Sequence, residues 1–265
     1  MSIRNTMGED KNAFDLEDLR DQYAKNKFYY KLSKTYSRKF PEIIDLNTPE
    51  MWDRLNITFH NDLADNAIAV DRLKYVEKLV IKIHGKVLNI GFGSAELENL
   101  IYKKRDKYSN WYGVDISRRS VSNAKSKYPK LNLTVGNIYN LRFKNNSIDC
   151  VVLLEVLEHI PPSKTIKCLK NIYEVLNKQG KLILSIPLNE GLEKMLEHGK
   201  NPNAHVRVYT SRIIEAELIL TGFKILSKKL LYSFHKYYRL KSFIVNRIFR
   251  NYREPNNIII LAEKK

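Results

Sequence analysis

Only two cysteines, Cys150 and Cys168, occur in the chain, so no disulfide framework of the kind that staples small secreted domains can form. A reducing, cytoplasmic setting is the expectation. No apolar run approaches the roughly 18 residues needed to cross a bilayer; the longest, such as Ile258–Ala262, suit a strand. The stretch Met1–Arg20 lacks an apolar segment, so no signal peptide is expected. Glycine is nearly missing from the first part, with Gly8 alone before Gly85, which leaves few turn points there. What the chain has in excess is positive charge. The 46 Lys and Arg outnumber 29 Asp and Glu, for a net +17 over 265 residues. That balance points to an anionic partner: nucleic acid, an acidic lipid surface or a phosphorylated substrate. An apolar fraction of 43% excludes a disordered chain, and the length suits one large α/β domain, or one domain with an appendage.

The glycine-poor part, residues 1–84, reads as a helical cap. Leu16–Tyr30 is charged and periodic, and Thr48-Pro49-Glu50 supplies an N-cap, a first-turn proline and a first-turn acid for a helix over Met51–Phe59. Ala67–Ile83 places Ala69, Leu73, Val76, Leu79, Val80 and Ile83 on one face. From residue 85 to 265 strands alternate with helices. Strands are expected at Lys86–Ile90, Tyr112–Ile116, Leu131–Val135, Ile148–Leu154, Gly180–Ile186, Gly222–Lys228 and Ile258–Ala262. Helices are expected at Ser94–Lys107, Val121–Tyr128, Ser163–Asn177 and Ser211–Leu220. Such alternation predicts an α/β, doubly wound, mostly parallel sheet of seven strands, the last antiparallel.

The informative segment is Val87-Leu88-Asn89-Ile90-Gly91-Phe92-Gly93-Ser94-Ala95, a strand entering a glycine turn and then a helix. Glycines there let the backbone approach a ligand, and the helix start offers free N–H groups. Tyr112-Gly113-Val114-Asp115-Ile116 ends the next strand with an acid, 24 positions after Gly91. This is near the offset at which a carboxylate takes the hydroxyls of an adenosine ribose. Asp115 can equally cap the following helix.

With Gly136-Asn137-Ile138, Ile148–Val152, Glu155-Val156-Leu157-Glu158-His159, Gly180–Pro187 and Gly222-Phe223 following in order, the chain resembles a class I S-adenosylmethionine-dependent methyltransferase over residues 86–264. The resemblance implies a Rossmann-like methyltransferase fold and S-adenosyl-L-methionine as cofactor. It implies a cofactor site made of Asn89, Gly91, Phe92, Gly93, Asp115, Ile116, Asn137, Ile138 and Leu154. Gly91 and Gly93 would cradle the methionine part, Asp115 would take the ribose, and Ile116 and Ile138 would sandwich the adenine. Two departures stand out: Asn89 replaces an acid that commonly closes the first strand, and Ala95 replaces a third glycine.

Glu155, Glu158 and His159 follow the central strand, and spacings of three and four set them on one side of a helical turn. His205 lies after the fifth strand and can return to the same rim. Two carboxylates and two imidazoles make a candidate site for Mg²⁺ or Mn²⁺ at Glu155, Glu158, His159 and His205, similar to that of small-RNA 2′-O-methyltransferases. Without a metal, His159 or His205, with Glu155, are the candidate catalytic groups, and a purely structural role stays open. His60, His84, His198 and His235 have no such context.

Lys228–Arg253 holds eight Lys and Arg without an acid, interleaved with Tyr232, Phe234, Tyr237, Tyr238, Phe243, Phe249 and Tyr252. Within this insertion, at about residues 229–254, Leu240, Phe243, Ile244 and Ile248 keep helical spacing. The stretch fits an anionic membrane surface, an RNA strand, or a docked helix with a solvated basic face. The expected activity is O-methylation of a hydroxylated small molecule, glycan or lipid-linked acceptor, in the cytoplasm or at the inner face of the membrane. RNA methylation and a non-catalytic cofactor-binding scaffold are the alternatives.

Overall fold

The computed structural model describes residues 47–58, 66–102, 110–198, 204–234, 237–247 and 253–265. The expected helix over Leu16–Tyr30, with His60, His235, Ile248, Phe249 and Tyr252, lies outside the described residues.

Seven strands form one sheet: β1 (Val87–Ile90), β2 (Trp111–Asp115), β3 (Asn132–Val135), β4 (Ile148–Leu154), β5 (Leu176–Pro187), β6 (Phe223–Leu231) and β7 (Asn257–Lys264). Their spatial order is β3-β2-β1-β4-β5-β7-β6, and β7 runs antiparallel to both neighbours. The sequence moves outward from β1 to β3 and then returns to β4 on the other side of β1. The carboxyl ends of β1 and β4 therefore meet at the reversal, where open α/β sheets bind ligands.

The central strands are buried on both faces, as covered parallel strands must be. On β4, Val151 and Leu153 face one core with α5 (Pro162–Val175) and α7 (Ser211–Leu220). Cys150 and Val152 face the other, with α2 (Ala67–Val80), α3 (Glu96–Tyr102) and α4 (Arg118–Lys127). The α2 stripe is as read from its periodicity: Ala69, Val76 and Val80 are buried, while Leu73, Leu79 and Ile83 pack partly buried. At α1 (Pro49–Thr58) the Met51 N–H donates to Thr48 Oγ at 3.2 Å, the cap expected from the sequence. A short α6 (Leu192–Glu197) follows β5, and α8 (Tyr238–Arg247) precedes β7.

Among the boundaries that differ from expectation, such as Arg118 for Val121 at the start of α4 and Leu231 for Lys228 at the end of β6, two have clear local reasons. Helix α3 starts at Glu96 rather than Ser94 because Ala95 adopts a left-handed φ of 61° and ends the turn late. Strand β5 begins at Leu176, four residues before Gly180. Ile148 pairs Leu176 while Cys150 pairs Lys181, and the extra residues bulge at Gln179, whose φ is 62°. Among the described residues, no helix is long and apolar enough to cross a membrane.

Candidate active site

A cavity of about 970 Å³ opens at the sheet reversal. All nine residues proposed for the cofactor line it: Asn89, Gly91, Phe92, Gly93, Asp115, Ile116, Asn137, Ile138 and Leu154. So do Glu155, Glu158, His159 and His205, and α1 and α2 add Trp52, Leu55, Ala69, Arg72 and Leu73.

The glycine turn is shaped by backbone demands. Gly91 has φ 72°, and a Cβ there would stand 2.6 Å from the Val156 side chain. Gly93 has φ 53° with open space where its Cβ would be, leaving its backbone bare toward a ligand. Asp115 fixes this turn. Its Oδ2 accepts from Gly93 N–H and its Oδ1 from Ser117 N–H, each at 2.8 Å. Burial raises the Asp115 pKa, while these two N–H donors pull it back. Asp115 is thus a local organiser, and each oxygen keeps a lone pair for a ribose hydroxyl. Cradle, acid and apolar walls in one cavity fit an adenosyl cofactor. Asn137 Oδ1 accepts from Tyr139 N–H at 2.9 Å and has a second lone pair for an adenine amino group.

Asn89 makes a bond that the sequence did not disclose. Its Nδ2 donates at 2.7 Å to Glu98 Oε1, which also takes Trp111 Nε1–H at 3.2 Å. The acid absent from β1 thus reappears on α3, fully buried beneath the turn, with its pKa pushed up to about 7 by desolvation.

Of the four expected metal ligands, the structure gathers three. Ligand atoms of Glu158, His159 and His205 lie within 4.8 Å of one another. Glu155 stands apart. It has φ 54°, so it ends β4 in the left-handed region, and the short 3-10 turn begins only at Leu157. The spacing of three to Glu158 therefore does not make a shared helical face. Its carboxylate is turned to Arg72 Nη1 at 2.9 Å, Ser185 Oγ at 2.7 Å and Asn257 Nδ2 at 3.0 Å. Glu155 is a fastener between the roof helix α2 and strands β5 and β7.

Glu158 is fully buried, and neither carboxylate oxygen has a hydrogen-bond partner among the described residues. Burial, and then the nearby Glu155 charge, raise its pKa well above the usual carboxylate range. His159 packs edge-on against Trp52 at 4.8 Å and against His205 at 4.9 Å, and burial holds its pKa well below that of a free imidazole. His205 Nδ1 meets Glu190 Oε2 at 2.8 Å, while Nε2 stands 3.9 Å from Glu158 Oε1. Glu190 was not singled out in the sequence, since no motif links it to a histidine fifteen positions away. The segment carrying His205 is pinned on both sides. Val206 N–H donates to Glu158 O at 2.9 Å, and buried Arg207 donates to Thr165 Oγ1 and Glu217 Oε1, both at 2.8 Å.

The comparisons with known proteins agree with this architecture. Residues 88–184 match the family model described as a methyltransferase domain. A protein of Methanocaldococcus jannaschii is 31% identical over 133 residues, covering 50% of this chain and 54% of the relative; the chain spans about half the length of that curated relative. Among solved structures, a possible histamine N-methyltransferase from Thermotoga maritima superposes with a TM-score of 0.55 at 20% identity, covering 82% of this chain and 94% of that one. An S-adenosylmethionine-dependent methyltransferase from Archaeoglobus fulgidus gives 0.54 at 16%, covering 72% and 94%. The [4+2]-cyclase SpnF shares the fold at 0.57 and 16%, covering 74% and 80%. Residues 88–184 thus carry a methyltransferase domain, on a fold shared with S-adenosylmethionine-dependent methyltransferases.

Proposed function

We propose that the protein transfers the methyl group of S-adenosylmethionine to a hydroxyl oxygen of a small-molecule, glycan or lipid-linked acceptor. The observation that carries this reading is the Glu190–His205 pair at the rim of the cofactor cavity. A hydroxyl attacking a sulfonium methyl must lose its proton, whereas an amine can attack with its lone pair. Glu190 Oε2 lies 2.8 Å from Nδ1; with the proton held there and donated to Glu190, Nε2 carries the lone pair that would take a hydroxyl proton. The walls align acceptor and methyl group and exclude water, which is most of what an in-line displacement needs.

The donor set also fits a divalent ion. Glu158 is buried beside two imidazoles with no hydrogen bond to either oxygen among the described residues, and it can relieve that burial by keeping a proton or by binding an ion. Glu158, His159 and His205 would hold the ion. With Glu155 engaged elsewhere, the set is richer in nitrogen than in oxygen, which favours Mn²⁺ over Mg²⁺. A bound ion would supply Lewis acidity, lowering the pKa of a coordinated hydroxyl.

The test uses methyl-labelled cofactor with extract fractions separated into polar small molecules, glycans, lipids and RNA. The expected label is in a hydroxylated non-RNA fraction as a methyl ether. His205→Gln abolishes it while the cofactor dissociation constant stays unchanged by calorimetry. Loss of turnover on chelation, restored by Mn²⁺, assigns the proton step to the ion, and full turnover after chelation assigns it to His205 alone. Label in RNA or on nitrogen, or a fully active His205→Gln, overturns the proposal. Cofactor binding without turnover in any fraction identifies a scaffold instead.

A further inference from the structure

Helix α8 presents an arrangement that neither the cavity nor the sheet requires. It docks through Val245, which is 5% exposed, and through Tyr238, whose hydroxyl reaches the Asp71 carboxylate of α2. The opposite face carries Leu240 at 60% and Phe243 at 59% exposure, with Tyr237 at 76% just ahead of the helix and Ile244 half-buried between them. At 100° per residue Leu240, Phe243 and Ile244 fall within about one quadrant of the helix, on the side away from Val245. Arg239 and Lys241 flank this stripe on its two sides, and Arg247 continues it one turn further; all three are exposed. Lys228–Arg253 contains no acid.

Exposed aromatic and aliphatic side chains on a ten-residue helix are unfavourable in water, and a purely docked helix has no use for them. A nucleic-acid surface stacks flat aromatics in a groove of cations. Here the outward group is a convex ridge led by leucine and phenylalanine, with cations at its edges. That pattern matches a helix lying in the headgroup plane, its apolar stripe among acyl chains and its cations at the phosphates.

We propose that α8, with Tyr237, is a peripheral anchor for an anionic bilayer surface. Through Tyr238 and Asp71 the anchor is tied to α2, and α2 roofs the cavity with Ala69, Arg72 and Leu73. Binding would thus hold the roof of the site at the membrane. The inference is independent of the proposed acceptor and of the His205 chemistry, so either can fail without the other.

The experiment is flotation of the full chain with vesicles of phosphatidylcholine alone or with 30 mol% phosphatidylglycerol, at low salt. At about a factor of five per near-surface cation, three cations give anionic vesicles roughly a hundredfold advantage. Leu240→Glu with Phe243→Glu should remove binding to both, and the milder Leu240→Ser with Phe243→Ser should weaken it at least tenfold with an unchanged circular dichroism spectrum. Equal recovery on neutral and anionic vesicles, or full binding by the serine variant, overturns the anchor. So does capture by single-stranded RNA that the phosphatidylglycerol vesicles fail to compete.

Discussion

Replacing Glu98 with glutamine should stabilise the protein, and by an amount that grows with pH. Glu98 is fully buried and accepts Asn89 and Trp111 on one oxygen, while Oε2 has no partner among the described residues. Desolvation, and then the Asp115 charge, lift its pKa from 4.5 to about 7. An acid whose pKa is raised on folding takes up a proton as the chain folds. The folded state therefore meets no penalty below pH 4.5, loses stability as the pH climbs, and carries the full cost above about 7. At about 1.4 kcal/mol per pH unit that cost reaches about 3 kcal/mol. Glutamine keeps an oxygen for Asn89 and Trp111 but never ionises. A chain of this size changes Tm by about 2–4 °C per kcal/mol, so Glu98→Gln should melt roughly 6–12 °C above wild type at pH 8.5 and near parity at pH 5. Scanning calorimetry of both proteins across that range measures the gap directly, since other titrating groups cancel in the difference. A gap that stays constant with pH, or a variant less stable at pH 8.5, would refute the account.

Asp115→Ala should weaken S-adenosylmethionine binding about a hundredfold by calorimetry, from loss of roughly 2–3 kcal/mol of charge-assisted bonding to the ribose together with the Gly93 and Ser117 anchors. An unchanged dissociation constant would remove Asp115 from the cofactor site. Arg207→Ala should cost about 3–5 kcal/mol because it strands Glu217, which is 0% exposed, whereas Arg207→Met with Glu217→Leu should recover most of that in a urea melt.

The sheet was legible because each of its signals is local. The apolar runs Val87–Ile90 and Ile148–Leu154, the glycine turn, and the acid ending β2 need only their neighbours to be recognised. The ends of the regular elements were less so, because Ala95, Glu155 and Gln179 take left-handed dihedrals that residue type does not announce. Glu155 shows the cost. Spacing alone aligned it with Glu158, while its partners Arg72, Ser185 and Asn257 lie far along the chain, Asn257 by 102 positions. Glu190, Glu98 and Asp53, whose Oδ1 takes the Ser117 hydroxyl at 2.6 Å, were missed because a polar pair joining different elements leaves no periodic trace.

The strand order also governs how the chain can fold. β7 is last in sequence yet lies between β5 and β6, so β6 has no neighbour in the sheet until β7 inserts. Before that moment β5 is an open edge, with Leu182, Ile183 and Leu184 beside unpaired backbone groups, the kind of edge that templates association between chains. Pairing is long-range as well, which slows closure and prolongs the exposure. The same strand supplies Asn257 to Glu155, so the polar anchor that holds Arg72 of α2 is completed only with the sheet. Pairing of Asn257–Lys264 is thus expected to come last, and conditions that delay it should favour aggregation while β1–β5 stay paired.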